Sequence, residues 1–206
     1  MKYNSEKREI IFNKKALNNL DKFTINFVYL LNKYTDYVIV SGYVSILLGR
    51  SRASEDIDLL IPKMEFHKFK NLFEELLNKG YECVNTSNVK EAYNMLSEHA
   101  IRFFEKGSPI PNIEFKIIKT ELEEYAFNNK IKVVFGADLL FISPIELQIA
   151  FKLFLAAEGT DKELQSDKDI EDARHLYKQF KEKINKVEFL YFIDKLNVGK
   201  KLKWLE

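Results

Sequence analysis

Two aspartates one residue apart, Asp56 and Asp58, stand inside the apolar run "EDIDLLIP" (55–62). Aspartate disfavours strands, and side chains two apart on a strand share a face. The two carboxylates therefore project together, while Ile57 and Leu59 face the core. Each resists ionising beside the other, so the pair needs a counter-charge. A hard divalent cation such as Mg²⁺, held by carboxylates and phosphate oxygens, is one answer. A solvent-exposed strand edge that discourages aggregation is another use of the same pair. The surrounding stretch "VSGYVSILLGRSRASEDIDLL" (40–60) adds phosphate-handling groups to the first. Gly42 lies where a strand turns into a helix, which brings backbone N–H groups toward an anion. Arg50 and Arg52 are suited to bidentate contacts with phosphate oxygens.

The elements that must position these residues follow from periodicity. In residues 14–34, Leu17, Leu20, Phe23, Phe27, Leu30 and Leu31 recur at helical spacing. "DYVIVSG" (36–42) reads as a short buried strand, and "YVSILLG" as a two-turn helix ending at Gly49. The acidic strand at 55–62 is followed by an amphipathic helix over 63–80, stopped by Gly80. "YECVN" is a strand, and 87–97 fits neither period clearly. "HAIRFFE" (99–105) and "NIEFKII" (112–118) form a hairpin around "KGSPIP". "ELEEYAFNN" is a short helix, and "KIKVVFG" is a strand leading to "ADLLFIS". A Ser-Pro start opens an apolar helix over 143–159; a polar connector "TDKELQSD" and two more helices follow. The order of elements predicts a mixed α+β architecture over 1–142 and a helical subdomain over 143–206.

Gly42-Tyr43, twelve residues, then Asp56-Ile57-Asp58-Leu59 resembles the signature of the polymerase-β-like nucleotidyltransferase superfamily. "GRSRASEDIDLLI" is especially similar to the stand-alone prokaryotic and archaeal members, some of which are toxins of toxin–antitoxin pairs. The resemblance implies a nucleotidyltransferase-type mixed sheet with helices on one face. It implies transfer of NMP from an NTP to a hydroxyl of RNA such as tRNA, of a protein or of a small molecule, with an antitoxin as a further partner. It also implies two Mg²⁺ ions about 4 Å apart, with Mn²⁺ as a substitute, bridged by Asp56 and Asp58. The family's second small residue is Tyr43 here, so nucleotide binding is either accommodated, by a ring that swings aside or stacks on a base, or altered or lost. Loss would leave an inactive binding protein on the same fold.

The resemblance implies a third acid from a later strand. In "NIEFKII", Glu114 shares the polar face with Lys116, opposite Ile113 and Phe115. It is a metal ligand and catalytic carboxylate by resemblance, or an exposed residue of a half-buried strand. The resemblance assigns nucleotide binding to Ser41, Gly42, Tyr43, Arg50, Arg52 and Lys152. Lys152 stands alone among apolar neighbours, which also suits a lysine that snorkels to water. Asp169 and Asp172 resemble a K-D-x-x-D element of the same proteins, and equally suit the acid-rich start of a helix.

Composition bounds these readings. The chain has 206 residues, 46% hydrophobic and 31% charged, with a net charge of +1. That describes a globular protein without the strong basic excess of a general nucleic-acid binder. The single cysteine, Cys83, rules out an internal disulfide and a cysteine-based zinc site. His67, His99 and His175 have no ligand spacing. No apolar run reaches the roughly 20 residues of a membrane span, and the first residues lack a signal-peptide core. A cytoplasmic protein is expected.

Overall fold

A computed structural model describes residues 1–54, 56–156 and 166–206. Most of the polar connector at 160–167, and Glu55 at the start of the acidic strand, lie outside the described residues. The strands are β1 Lys2–Asn4, β2 Glu9–Phe12, β3 Val38–Val40, β4 Asp56–Ile61, β5 Tyr81–Cys83, β6 Ile101–Glu105, β7 Ser108–Ile117, β8 Ile131–Phe135 and β9 Asp138–Ile142. The helices are α1 Asn19–Leu31, α2 Gly42–Leu47, α3 Phe66–Asn78, α4 Val89–Glu98, α5 Glu121–Asn128 and α6 Ile145–Leu155. Beyond 165 come α7 Lys168–Phe180, α8 Lys186–Lys195 and a 3₁₀ turn over Gly199–Trp204.

The nine strands form one mixed sheet in the order β1-β2-β8-β9-β3-β4-β7-β6-β5. β4 is central, antiparallel to β3 and parallel to β7. Its alternation is clean at the start. Ile57 and Leu59 are fully buried, whereas Asp56 and Asp58 are half-buried on the opposite face. The apolar face packs aromatic rings edge to face: Phe27 of α1 against Phe115 of β7, and Phe73 of α3 against Phe103 of β6. On the opposite face, α5 and α6 stand over the sheet and leave a cleft.

Four features differ from the sequence expectation. The N-terminal residues form β1 and β2, which extend the sheet beside β8. Strands this short carry too little periodicity to be distinguished from a tail. The ambiguous stretch is α4, begun by Asn88, whose side chain accepts the Lys90 and Glu91 N–H groups. The hairpin is tighter than expected, because β7 begins at Ser108 and absorbs most of "KGSPIP". α1 starts later than the periodicity suggests, at a capping box formed by Asn18 and Asp21.

Candidate active site

Parallel pairing sets the acidic face. Cα partners across β4 and β7 are Asp56 with Asn112, Asp58 with Glu114 and Leu60 with Lys116. The expected third acid thus lies directly beside the second aspartate. Lys116 Nζ bridges the two strands, 3.0 Å from Asp58 Oδ1 and 2.5 Å from Glu114 Oε1. Arg102, on β6, donates to Glu114 Oε2 from Nε at 3.0 Å and Nη2 at 2.6 Å. Asp56 accepts only a neutral donor among the described residues, Asn112 Nδ2 at 2.7 Å. Burial alone raises the Glu114 pKa, but the hydrogen bonds and charges of Lys116 and Arg102 outweigh it and hold it below the usual range. Burial likewise works against the Lys116 charge, and Asp58 and Glu114 more than offset it. A carboxylate held down in this way is a weak proton acceptor, which counts against Glu114 as a base.

The turn before α2 is built differently from the sequence expectation. Ser41 has φ 65° and ψ −140°, a backbone region that costs a non-glycine residue roughly 1–3 kcal/mol. Gln148 of α6 holds it there: its Nε2 donates to the Ser41 carbonyl at 2.7 Å and its Oε1 accepts the Ser41 N–H at 3.3 Å. At Gly42 an added Cβ would collide with Arg52 Nη2. The two positions that favour small or glycine-like residues are therefore 41 and 42, not 42 and 43. Gly42 makes room for an arginine of the chain itself. Tyr43 lies in the core, fully buried, with its hydroxyl donating to Asp21 Oδ1 at 2.9 Å. It neither blocks the cleft nor offers its ring to a nucleotide. Burial and the Asp21 charge push its phenol pKa far up.

The three cations expected to meet phosphate meet acids instead. Lys152 is buried, with Nζ 2.6 Å from Asp169 and 2.9 Å from Asp172. Arg50 pairs with Asp172 and Glu171. Arg52 Nη2 reaches Asp172 at 3.1 Å, and Arg52 Nε is buried without a hydrogen-bond partner. Asp172 is fully buried beneath them. Asp169 and Asp172 thus close a network that ties α7 to the loop before β4. Arg50 and Arg52 lie about 120 residues from their acidic partners in the chain, a distance no local pattern spans.

Asp58, Lys116 and Ser41 line a cleft of about 500 Å³, whose other walls are mostly apolar, among them Leu122, Leu147, Phe151 and Phe154. Phe154 is half exposed. The size lies within the range of small-molecule sites. Carboxylate oxygens and an amide oxygen are the right donors for a hard cation. Asn112 Oδ1, next to Asp56, is buried and has no hydrogen-bond partner, which marks an acceptor awaiting one. Asp56, Asp58 and Asn112 therefore fit one divalent cation. Glu114 does not fit a second as it stands, because both its oxygens already carry cations. Among the described residues no group of three His, Cys, Asp or Glu side chains is arranged to hold a metal. Arg102, Asn112, Lys116 and Gln148 were not singled out from sequence. Lys116 and Asn112 were detectable as the i+2 and i−2 neighbours of Glu114 on one strand face. Gln148 was detectable as an uncharged polar residue in an otherwise apolar helix.

No protein-family model and no curated protein sequence matches the chain. Solved structures do. An antigenic nucleotidyltransferase-like protein from Paracoccidioides brasiliensis superposes with a TM-score of 0.52 at 16% identity, covering 88% of this chain and 90% of the other. The antibiotic-resistance factor ANT(2″)-Ia superposes with a TM-score of 0.50 at 13% identity, covering 87% and 96%. The chain has the nucleotidyltransferase-type fold, a mixed sheet with helices packed on it. Among the described residues no helix is long and apolar enough to cross a membrane.

Proposed function

We propose that the chain is a Mg²⁺-dependent nucleotidyltransferase that moves NMP from an NTP to a hydroxyl of an RNA, a protein or a small molecule. The observation that carries the reading is the register that sets Asp58 against Glu114, with Asp56 two residues away, where Asp58 opens into the cleft. A cation held by Asp56 and Asp58 would supply charge neutralisation at the phosphate oxygens. The acceptor oxygen bonds to the α-phosphorus, the bond to the β-bridging oxygen breaks, pyrophosphate departs, and the hydroxyl proton leaves to solvent or a nearby base. Asp56 and Asp58 would act on the polyphosphate only through that cation, whose place they fix. Gln148 fixes the Ser41 turn at the cleft wall. Once a substrate fills the cleft, its apolar walls would exclude water around it, which strengthens charge interactions there. The sheet portion up to 142 carries the acids, and the helical portion beyond it completes the cleft. The motif resemblance extends the proposal to a toxin-type enzyme of the cytoplasm with an antitoxin partner.

A second reading, a binding protein without chemistry, is favoured by one observation. Arg50, Arg52 and Lys152 are each paired with acids and present no free charge to a phosphate. Incubating the protein and cell extract with each α-³²P-labelled NTP and Mg²⁺ or Mn²⁺ separates the two. Labelled product that disappears with Asp58→Asn supports transfer. Mg²⁺-dependent NTP binding by calorimetry without labelled product supports the second reading.

A further inference from the structure

Three acids on one sheet face would together carry three negative charges. The chain supplies two of the balancing charges itself. Arg102 stands on Glu114 from outside, whereas Lys116 lies between Glu114 and Asp58 and also lines the cleft. Its ammonium occupies the space between two carboxylates on adjacent parallel strands, 3.0 Å from one and 2.5 Å from the other. An ion bridging Asp58 and Glu114 would have to stand in the same place. Lys116 cannot avoid these partners by a change of face, because it is two residues beyond Glu114 on one strand. Asp56 makes no close ion pair among the described residues, feeling the Arg102 charge only at a distance, and it adjoins the unpartnered Asn112 oxygen.

We propose that Lys116 is a built-in counter-ion that takes the place of a second divalent cation, so that the site binds one divalent cation per chain, on the Asp56 side. The inference rests on the nucleotidyl-transfer reading and refines it. Glu114 is then a positioning residue: with Arg102 it holds the ammonium at the cleft wall. There the charge faces whatever anionic group binds beside Asp58. Substrate phosphate thus meets one exchangeable charge and one tethered charge.

The test counts Mn²⁺ by electron paramagnetic resonance, with the full chain and a non-hydrolysable NTP analogue, and requires no turnover. One Mn²⁺ per chain is expected for the unaltered protein. Lys116→Met should admit a second ion or tighten Mn²⁺ binding by roughly tenfold or more, the scale on which a neighbouring unit charge acts on a carboxylate. Lys116→Arg, which keeps the charge, should keep one ion. Circular dichroism and a cooperative melt establish that each variant is folded, and the unaltered protein's stoichiometry stands even if Lys116→Met is not. Two ions in the unaltered chain overturn the proposal and leave nucleotidyl transfer intact. Equal Mn²⁺ binding in the methionine and unaltered proteins also overturns it. No Mn²⁺ in any of them overturns both this proposal and the reading beneath it.

Discussion

Two clusters of charge lie near the Ser41–Gly42 turn, and they differ in balance and in burial. In the first, among the described residues, Arg50, Arg52 and Lys152 face Asp169, Glu171 and Asp172, three against three. Lys152 and Asp172 there are almost wholly inaccessible. In the second, Asp56, Asp58 and Glu114 face Arg102 and Lys116, three against two, and Asp58 and Lys116 line a cleft open to solvent. The same residue types thus give different results. A balanced cluster centred on a buried pair, Lys152 and Asp172, holds the fold, because an imbalance at that pair costs several kcal/mol. An unbalanced cluster with access to solvent keeps an unmet demand for positive charge, and a ligand can meet that demand. The arginines and Lys152, which resemble phosphate-binding groups in sequence, belong to the first cluster.

Removing a partner from the balanced cluster should cost most. Asp172→Asn takes a counter-charge from the buried Lys152 and from the partly buried Arg50 and Arg52, and is expected to lower stability by about 3–5 kcal/mol in chemical denaturation. A loss below about 1 kcal/mol would mean that the network is wetter than its geometry implies. Gly42→Ala pushes the Arg52 guanidinium off its site and away from Asp172. The expected cost is about 1–3 kcal/mol. Most of it should vanish when Arg52→Met is already present, because the two residues act through one contact. Asp58→Asn, in the unbalanced cluster, should change stability by no more than about 1 kcal/mol, since a partly exposed pair contributes little, while abolishing nucleotide labelling. A large destabilisation there would erase the contrast between the clusters.

The smallest effect is expected at Glu146, which belongs to neither cluster. Burial raises its pKa, although the Asn185 N–H donates to Oε1 at 2.8 Å. Between the unfolded value of about 4.3 and the higher folded value, the folded chain binds more protons than the unfolded one. Stability therefore falls as pH rises through that window and stays reduced above it. Glu146→Gln keeps the acceptor and removes the charge. A gain of roughly 2–4 °C in Tm near neutrality, the shift that about 1 kcal/mol produces in a chain of this size, should disappear below pH about 4. A gain that persists in acid would assign the effect to something other than ionisation.

What the sequence disclosed about the site was local. Strand alternation put Asp56 and Asp58 on one face and Glu114 on the polar face of its own strand, and both hold in three dimensions. Alternation is geometry within a few residues and needs no tertiary information. The partners of Arg50, Arg52 and Lys152 lay hidden because ion pairing depends on which helix returns to which loop. Tyr43 was misjudged for a related reason. Its neighbour in the motif suggested a ligand, whereas its hydroxyl is satisfied by Asp21, a residue of α1 that also caps its own helix. The β1–β2 hairpin was missed because three- and four-residue strands acquire meaning only from the neighbour they pair with.

α6 is the most apolar of the long helices, yet it carries three buried polar side chains, each with a separate attachment. Glu146 reaches the start of α8, Gln148 the Ser41 turn, and Lys152 the acids of α7. At 3.6 residues per turn, Gln148 and Lys152 project about 40° apart, and Glu146 points to the far side. The helix is therefore seated like a keyed shaft. Grease alone would let it roll about its long axis, and these three keys leave one angular setting.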